Sequence, residues 1–234
     1  IEAPGTYNHS LMVASLGEAA ADAIGANANL VKVGAYFHDV GKLKRPMFFS
    51  ENQQGFNPHD ELDPAISSAI ITAHVTDGLD LAKKHKIPAR VCDLIGQHHG
   101  DSMTAAFYYK AVEREGKEKI SEEDYRYKGI KPQTKESAIL MICDSIEAAV
   151  RSMDSPTKEQ VYGMIDKVIA GKFNDGQLGD SDMRLNELET LRQAVRAAYA
   201  GILHERVKYP DVETLRSELN MPVLSEGKKE GENR

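Results

Sequence analysis

The sequence predicts an all-α protein. Apolar residues recur at the three-to-four-residue spacing of helices along most of the 234-residue chain, whereas the alternating runs of β-branched residues typical of strands are scarce. Residues that favour helix starts and ends flank several of these segments. With 41% hydrophobic residues, a chain of this length can bury one sizeable core. We therefore expect one large helical domain.

The spacing of apolar residues predicts the first two helices directly. They cover Asn8–Ile24 and Ala28–Val40. Gly41 is expected to end the second helix, because glycine readily adopts the left-handed conformation in which many helices end.

Proline marks the start of the next two helices. Asp63 and Pro64 offer an N-cap and a first-turn proline to a helix through AISSAIITAHV, and Pro88 has the same position before ARVCDLIGQHH. Thr157 and Gln160 have the spacing of a capping box at a later helix start. The remaining predicted helices are Ala105–Glu115, Lys135–Met153, Thr157–Ala170 and Leu185–Val207.

Two connections are longer than usual and rich in turn-forming residues. They read KRPMFFSENQQGFNPHDEL and GKEKISEEDYRYKGIKPQT, and we expect them to be functional or lid-like loops. Residues 220–234 are polar and contain glycine, which predicts a disordered tail. A single domain then covers residues 1–219.

Composition excludes several classes of function. The net charge of −7 argues against DNA, RNA or an anionic membrane as partner, since these select clustered positive charge. Cys92 and Cys143 lack metal-site spacing and fit free thiols in a reducing compartment. No apolar run is long enough to span a membrane, and the start of the chain does not read as a secretory signal. The first residue is isoleucine, so we expect a soluble piece of something longer.

The stretch GAYFHDVGK places His38 and Asp39 side by side at a predicted helix end. Consecutive helical residues project about 100° apart, so both side chains can reach one point beyond the helix. An isolated pair also suits an ordinary helix C-terminus, where histidine favours the helix dipole and aspartate is solvated. The pair alone therefore decides little.

Further histidines share these apolar or helix-end settings. His9 lies in the first predicted helix, His74 follows SAIITA, and His98 and His99 close another helix. Buried imidazoles need hydrogen-bond partners, and these segments supply few. A metal would satisfy all of these histidines together.

Asp144 follows the apolar run Ile139–Cys143, which predicts a buried carboxylate. Its desolvation is costly unless a cation compensates. The alternative places Asp144 on a polar helix face with Glu147 and Arg151.

The order H, HD, H, HH, D across residues 8–144 resembles the HD-domain metal phosphohydrolases. His9, His38, Asp39 and Asp144 correspond to the basic motif of that family. The additional His74, His98 and His99 resemble the subset that holds two metals. The resemblance implies a helical bundle with a metal site between its core helices, so that residues 1–219 form a single HD phosphohydrolase domain.

Within this subset the chain departs from the cyclic di-GMP branch, because HHGDSMTAAFYYKA does not lead to the Gly-Tyr-Pro of that branch. HDVGKLKRPMFFSENQ and KESAILMICDSIEAAVRS instead resemble the cytoplasmic HD domain of PgpH-type cyclic di-AMP phosphodiesterases. That resemblance implies hydrolysis of cyclic di-AMP to linear pApA. It also implies a full-length protein anchored in the bacterial membrane, with this domain on the cytoplasmic face. The oligomeric state stays open.

Seven ligand side chains suit two metals with open positions for water and phosphate. Paired cations would lower the pKa of bound water and so provide a hydroxide nucleophile, with Asp39 as the bridging ligand. Imidazole and carboxylate ligands suit several transition metals, and the resemblance implies iron or manganese. We expect one metal on His9, His38, Asp39 and Asp144, and the other on His74, His98 and His99.

Other residues are candidates for contacts with the substrate. Lys42, one turn after the His-Asp pair, is expected to act with Asp39 in catalysis by adding positive charge at the phosphate, as in similar HD proteins. The alternative is a solvated lysine at a helix end. Further phosphate-binding candidates are Lys44, Arg45 and Arg151. Phe48, Phe49, Tyr108 and Tyr109 are expected either to stack on adenine or to pack internally. His59, His85 and His204 are expected to be solvated or structural, with contact to a ligand as the alternative for His59.

Two alternatives to cyclic di-AMP hydrolysis remain at this point. The same two-metal site is compatible with another cyclic dinucleotide such as cyclic di-GMP, or with a nucleoside polyphosphate. A non-catalytic domain that senses a nucleotide and uses metals structurally is the second alternative. The complete ligand set favours an enzyme.

Overall fold

The computed structural model describes residues 2–204, and these confirm the all-α class. The described residues contain no strand, only an isolated bridge between Met103 and Arg126. The predicted tail and residues 205–219 of the predicted domain lie outside the described part. The α-helices are α1 (Pro4–Ile24), α2 (Ala28–Phe37), α3 (Pro64–Lys84), α4 (Ala89–Gln97), α5 (Ala105–Glu115), α6 (Lys135–Arg151), α7 (Lys158–Asn174) and α8 (Leu185–His204).

Helix α6 is the centre of the bundle. Residues 138–144 are all buried, as expected for a helix that other helices surround on every side. Helices α1, α2, α4 and α7 pack around it, and α8 packs against α1 and α7. Asp144 is the charged residue in this buried run, so the sequence places a carboxylate in the middle of the core.

The predicted helix starts are largely confirmed by their caps. The Asp63 side chain accepts a hydrogen bond from the backbone N–H of Ala65 at the start of α3. Thr157 and Gln160 form both hydrogen bonds of a capping box before α7. Helix α1 begins earlier than predicted, at Pro4, because proline is well suited to a first helical turn. The end predicted for α8 at residue 207 lies outside the described residues.

The predicted role of Gly41 is wrong. Helix α2 ends at Phe37, and residues Val40–Lys44 continue as a 3₁₀ helix in which Gly41 has no positive φ. Gly41 is needed for close packing instead, since a Cβ there would lie 1.9 Å from the carbonyl oxygen of His74. The segment that follows the His-Asp pair therefore rests directly on the backbone of α3.

None of the helices in residues 2–204 combines the length and the apolar character that crossing a bilayer requires.

Candidate metal centre

The structure brings all seven predicted ligand side chains to one place. His9 projects from α1, His74 from α3 and Asp144 from α6, while the His-Asp and His-His pairs follow the ends of α2 and α4. All are buried except His99, which is partly exposed. They form two clusters, in each of which the ligand atoms lie within 4.8 Å of one another. The four-residue cluster is His9, His38, Asp39 and Asp144, and the three-histidine cluster is His74, His98 and His99.

Asp39 lies between the two clusters. Its Oδ2 is 3.4 Å from Nε2 of His9 and 3.2 Å from Nε2 of His38. Its Oδ1 is 3.3 Å from Nε2 of His74 and 3.8 Å from Nε2 of His98. Each carboxylate oxygen thus faces a different cluster, which is the arrangement of a bridging ligand.

Three histidine rings are oriented by their own helices. In each, Nδ1 donates a hydrogen bond to the backbone carbonyl three residues earlier. Nδ1 therefore points to the backbone, and Nε2 of each ring points toward the clusters. The distances are 2.7 Å from His38 to Ala35, 2.6 Å from His74 to Ile71 and 2.7 Å from His98 to Ile95.

The buried polar atoms of the centre fit a metal. Within residues 2–204, Nε2 of His38 and both oxygens of Asp39 have no hydrogen bond of good geometry, although the Lys42 ammonium lies 2.7 Å from Oδ2. Nε2 of His74 and Nε2 of His98 face each other at 3.1 Å. Leaving a buried polar group unpaired costs about 1–3 kcal/mol, so cations among these atoms would remove a substantial penalty. Imidazole and carboxylate donors suit divalent transition metals.

The pKa values of the histidines are shifted in opposite directions in the two clusters. Burial alone would lower the pKa of His9, but hydrogen bonds to Asp144 and Glu147 raise it to about 9. Burial is likewise outweighed at His38, where the Asp39 carboxylate helps raise the pKa to about 10. In the three-histidine cluster burial prevails, and the pKa of each ring is lowered. Its imidazoles are therefore neutral and ready to act as ligands.

Glu147 is a part of the centre that the sequence analysis missed. Its buried carboxylate accepts a hydrogen bond from Nδ1 of His9, and Nε of Arg151 lies 3.3 Å from it. Glu147 follows Asp144 by three residues and therefore lies on the same face of α6. From the sequence, Glu147 was considered only in the alternative in which Asp144 lies on a solvated polar face. The structure buries both carboxylates, as predicted for Asp144.

Lys42 is held at the centre by two acids. Its Nζ lies 2.7 Å from Oδ2 of Asp39 and 2.8 Å from Oε1 of Glu51, another residue that the sequence analysis missed. Burial would lower the Lys42 pKa, but these carboxylates raise it above its usual value. Glu51 also accepts a hydrogen bond from Oγ1 of Thr6 at 3.1 Å. Gly5 permits this contact, since a Cβ there would lie 1.8 Å from the Glu51 carbonyl oxygen.

A cavity of about 600 Å³ opens over the two clusters. Both long loops contribute to its walls. The residues of the predicted set that line it include Lys42, Phe48, Phe49 and Arg151. The lining residues that the sequence analysis did not single out include Ser102, Phe107, Tyr127 and Lys172.

His59 has a structural role and also lines the cavity. Its ring is buried, and Nε2 donates to the Phe48 carbonyl oxygen at 2.9 Å. The ring of Phe107 lies 5.0 Å from it, between centroids. Together these side chains form an aromatic wall.

Several predicted contacts are not at the site. Lys44 and Arg45 lie beside Asp77, 2.7 Å and 3.5 Å from its carboxylate, and neither lines the cavity. Tyr108 is buried in another cluster, which agrees with the packing alternative, whereas Tyr109 is 63% exposed, and neither lines the cavity. His85 is exposed as expected, and the side chain of His204 lies outside the described part.

Comparisons with known proteins agree with this geometry. A family model described as HD domain matches residues 6–149. The cyclic-di-AMP phosphodiesterases PgpH of Bacillus subtilis (strain 168) and Listeria monocytogenes serotype 1/2a (strain 10403S) are each 48% identical over 211 and 212 residues. These matches cover 90% of this chain and 29% of each relative, so the chain spans less than a third of the curated proteins' length.

Solved structures match over most of both chains. The crystal structure of the L. monocytogenes PgpH HD domain has 48% sequence identity and a TM-score of 0.82, covering 87% of this chain and 95% of that one. The same domain in complex with cyclic-di-AMP has 47% identity and a TM-score of 0.84, covering 89% and 96%. The predicted helical bundle is confirmed by these matches. The family match, the helical bundle and the gathered histidines and aspartates agree with one another, and the chain belongs to the HD domain family.

Proposed function

We propose that this chain is a metal-dependent phosphodiesterase that hydrolyses cyclic di-AMP to linear pApA. The observation that carries the proposal is the position of Asp39, whose two oxygens face separate ligand clusters, and members of both clusters line the cavity. The similarity to two proteins named cyclic-di-AMP phosphodiesterase, and to a domain solved with cyclic-di-AMP, supports the substrate.

Each cluster would hold one divalent cation, with Asp39 shared between them. When bound, such cations supply the Lewis acidity that activates a water nucleophile and neutralises charge on the phosphate. Iron or manganese is proposed on the resemblance to the two-metal subset, and the imidazole and carboxylate donors are compatible with both.

The chain's own side chains position the substrate around this centre. Lys42 presents an ammonium at the cavity wall, and its contacts with Asp39 and Glu51 keep it both charged and fixed. Phe49 is buried beside it, with the Lys42 Nζ 5.0 Å from the ring centroid. Such preorganised positive charge is effective when negative charge on phosphorus oxygens is redistributed during displacement.

The cavity suits a ligand with flat, apolar bases. Its volume lies within the range of about 300–1,000 Å³ that is usual for small-molecule sites. Phe48, Phe107 and Tyr127 contribute aromatic surface on which a base can stack. A ligand that fits this cavity has polar groups at the metal clusters and apolar groups against these three aromatic side chains.

The test is chromatographic analysis of products after incubation of the iron- or manganese-loaded chain with cyclic di-AMP and, in parallel, cyclic di-GMP. We expect preferential conversion of cyclic di-AMP to pApA, and no conversion after chelation of the metal. Equal cleavage of both substrates would contradict the assignment of cyclic di-AMP. If protein shown to hold two metals cleaved neither, the non-catalytic sensing alternative would be favoured.

We also propose that this domain lies on the cytoplasmic face of the bacterial membrane, as part of a longer protein. The resemblance to the PgpH HD domain supports this location. The test is fractionation of cells that express the full-length protein, followed by protease treatment of intact protoplasts. We expect this domain in the membrane fraction and protected from external protease.

A further inference from the structure

Three lysine and arginine side chains line the cavity, and two of them are paired with carboxylates. Lys42 is paired with Asp39 and Glu51. Arg151 lies 3.3 Å from the carboxylate of Glu147 and 3.9 Å from that of Glu51. The third, Lys172, has no carboxylate within 4.0 Å among residues 2–204, and its hydrogen bond is to Oγ of Ser102 at 3.0 Å. Of the three, Lys172 is therefore the one that forms no ion pair with a carboxylate of the described residues.

Two segments that are distant in the sequence fix the position of Lys172. Lys172 lies in the last turn of α7 and is partly buried. Ser102 is buried, follows His99 by three residues, and its carbonyl oxygen accepts a hydrogen bond from the backbone N–H of Tyr127 at 3.0 Å. The Ser102 hydroxyl is thus fixed, and it holds the Lys172 ammonium at the cavity wall.

The desolvation of Lys172 favours an anionic ligand. Burial lowers the pKa of Lys172, and Asp144 and Asp175, which act at a distance, only partly oppose this effect. A phosphate group beside the ammonium would supply the missing negative charge through a charge-assisted hydrogen bond.

A cyclic dinucleotide contains two phosphodiester groups, and only one of them can occupy the metal centre at a time. The other group carries a full negative charge into the same cavity. We propose that Lys172, oriented by Ser102, binds this second phosphodiester and so selects cyclic dinucleotides over esters with one phosphate. This inference rests on the proposed function and names how the substrate class is recognised.

The experiment compares two substrates in the metal-loaded protein. Cyclic di-AMP has two phosphodiesters, whereas bis(p-nitrophenyl) phosphate has one and reports on the metal centre alone. The variants are Lys172→Gln, which removes the charge, and Lys172→Arg, which keeps it. Lys167→Gln is the matched control, because Lys167 is exposed on the same helix and does not line the cavity.

We expect Lys172→Gln to lower kcat/KM for cyclic di-AMP about tenfold or more, mainly through KM, because a hydrogen bond to a charged group is lost. The loss on bis(p-nitrophenyl) phosphate should be much smaller. Lys172→Arg should recover most of the loss, and Lys167→Gln should behave as the wild type with both substrates.

Two results would overturn the inference. One is an equal loss on both substrates, which would assign Lys172 a purely structural role, and the other is an unchanged KM for cyclic di-AMP. If the wild type cleaves only bis(p-nitrophenyl) phosphate, the proposed function fails separately. Calorimetric titration with cyclic di-AMP then decides the inference, since Lys172→Gln must still weaken binding about tenfold.

Discussion

Nδ1 of His9 donates a hydrogen bond to the buried carboxylate of Glu147, and this bond turns Nε2 of the same ring toward Asp39 and Asp144. A carboxylate behind a ligating imidazole fixes the ring and makes it a better donor. Glu147 therefore orients a predicted metal ligand, although it is not itself a member of either cluster.

Glu147→Gln is expected to weaken metal binding about 10- to 100-fold, because it removes the charge that orients His9. Competition with a chromophoric chelator measures this change. Glu159→Gln, at an exposed position on α7, is the control and should bind metal as the wild type does. Unchanged affinity in Glu147→Gln would show that the hydrogen bond does not tune the ligand.

Asp39→Ala is expected to abolish hydrolysis and reduce bound metal, since each oxygen of Asp39 faces one cluster. In the wild type, manganese at 100 times its dissociation constant should stabilise the fold by about 2.7 kcal/mol. Thermal unfolding with and without the metal measures this, and the variant should lose most of the shift. Full activity in Asp39→Ala would refute the bridging role.

Lys42→Ala should reduce kcat about 100-fold while the metal content stays intact, because a fixed positive charge near the phosphate is removed. Steady-state kinetics and elemental analysis of the same preparation test both parts. Lys44→Ala is the control, since Lys44 pairs with Asp77 outside the cavity. Loss of metal from Lys42→Ala would instead assign Lys42 a structural role.

Gly41→Ala should destabilise the fold by about 1–3 kcal/mol, because its Cβ would lie 1.9 Å from the carbonyl oxygen of His74. Gly163→Ala is the opposite case, as nothing lies within 4 Å of the added atom on α7. That change should stabilise the helix by about 0.5–1 kcal/mol. Urea denaturation of both metal-free variants compares them, and equal stabilities would contradict the close packing at Gly41.

The bundle and the seven gathered side chains were accessible from sequence because their signals are local. Asp63 and Thr157 cap helices through residues two or three positions away. The ligand candidates stood out because imidazoles and a carboxylate occur among apolar neighbours. A polar residue in such a setting indicates a compensating partner, even when the sequence does not identify that partner.

The missed residues depend on contacts between distant segments. Lys172 reaches Ser102 across 70 positions, and Glu51 reaches Lys42 from an irregular loop. Gly41 shows a second difficulty, since glycine for a left-handed turn and glycine for close approach are identical in sequence. Only the packing of α3 against residues 40–44 distinguishes them.

The hydrogen bonds that orient His38, His74 and His98 are each made to the helix that carries the ring. The orientation of each imidazole is therefore fixed within one turn of backbone, without a hydrogen bond to a distant helix. The packing of the helices brings the three oriented rings together. The orientation of these rings therefore does not depend on an ion, unlike that of the ligands in small zinc domains, which fold only around their metal. The backbone of the chain thus prepares these rings for a ligand role whether or not an ion is present.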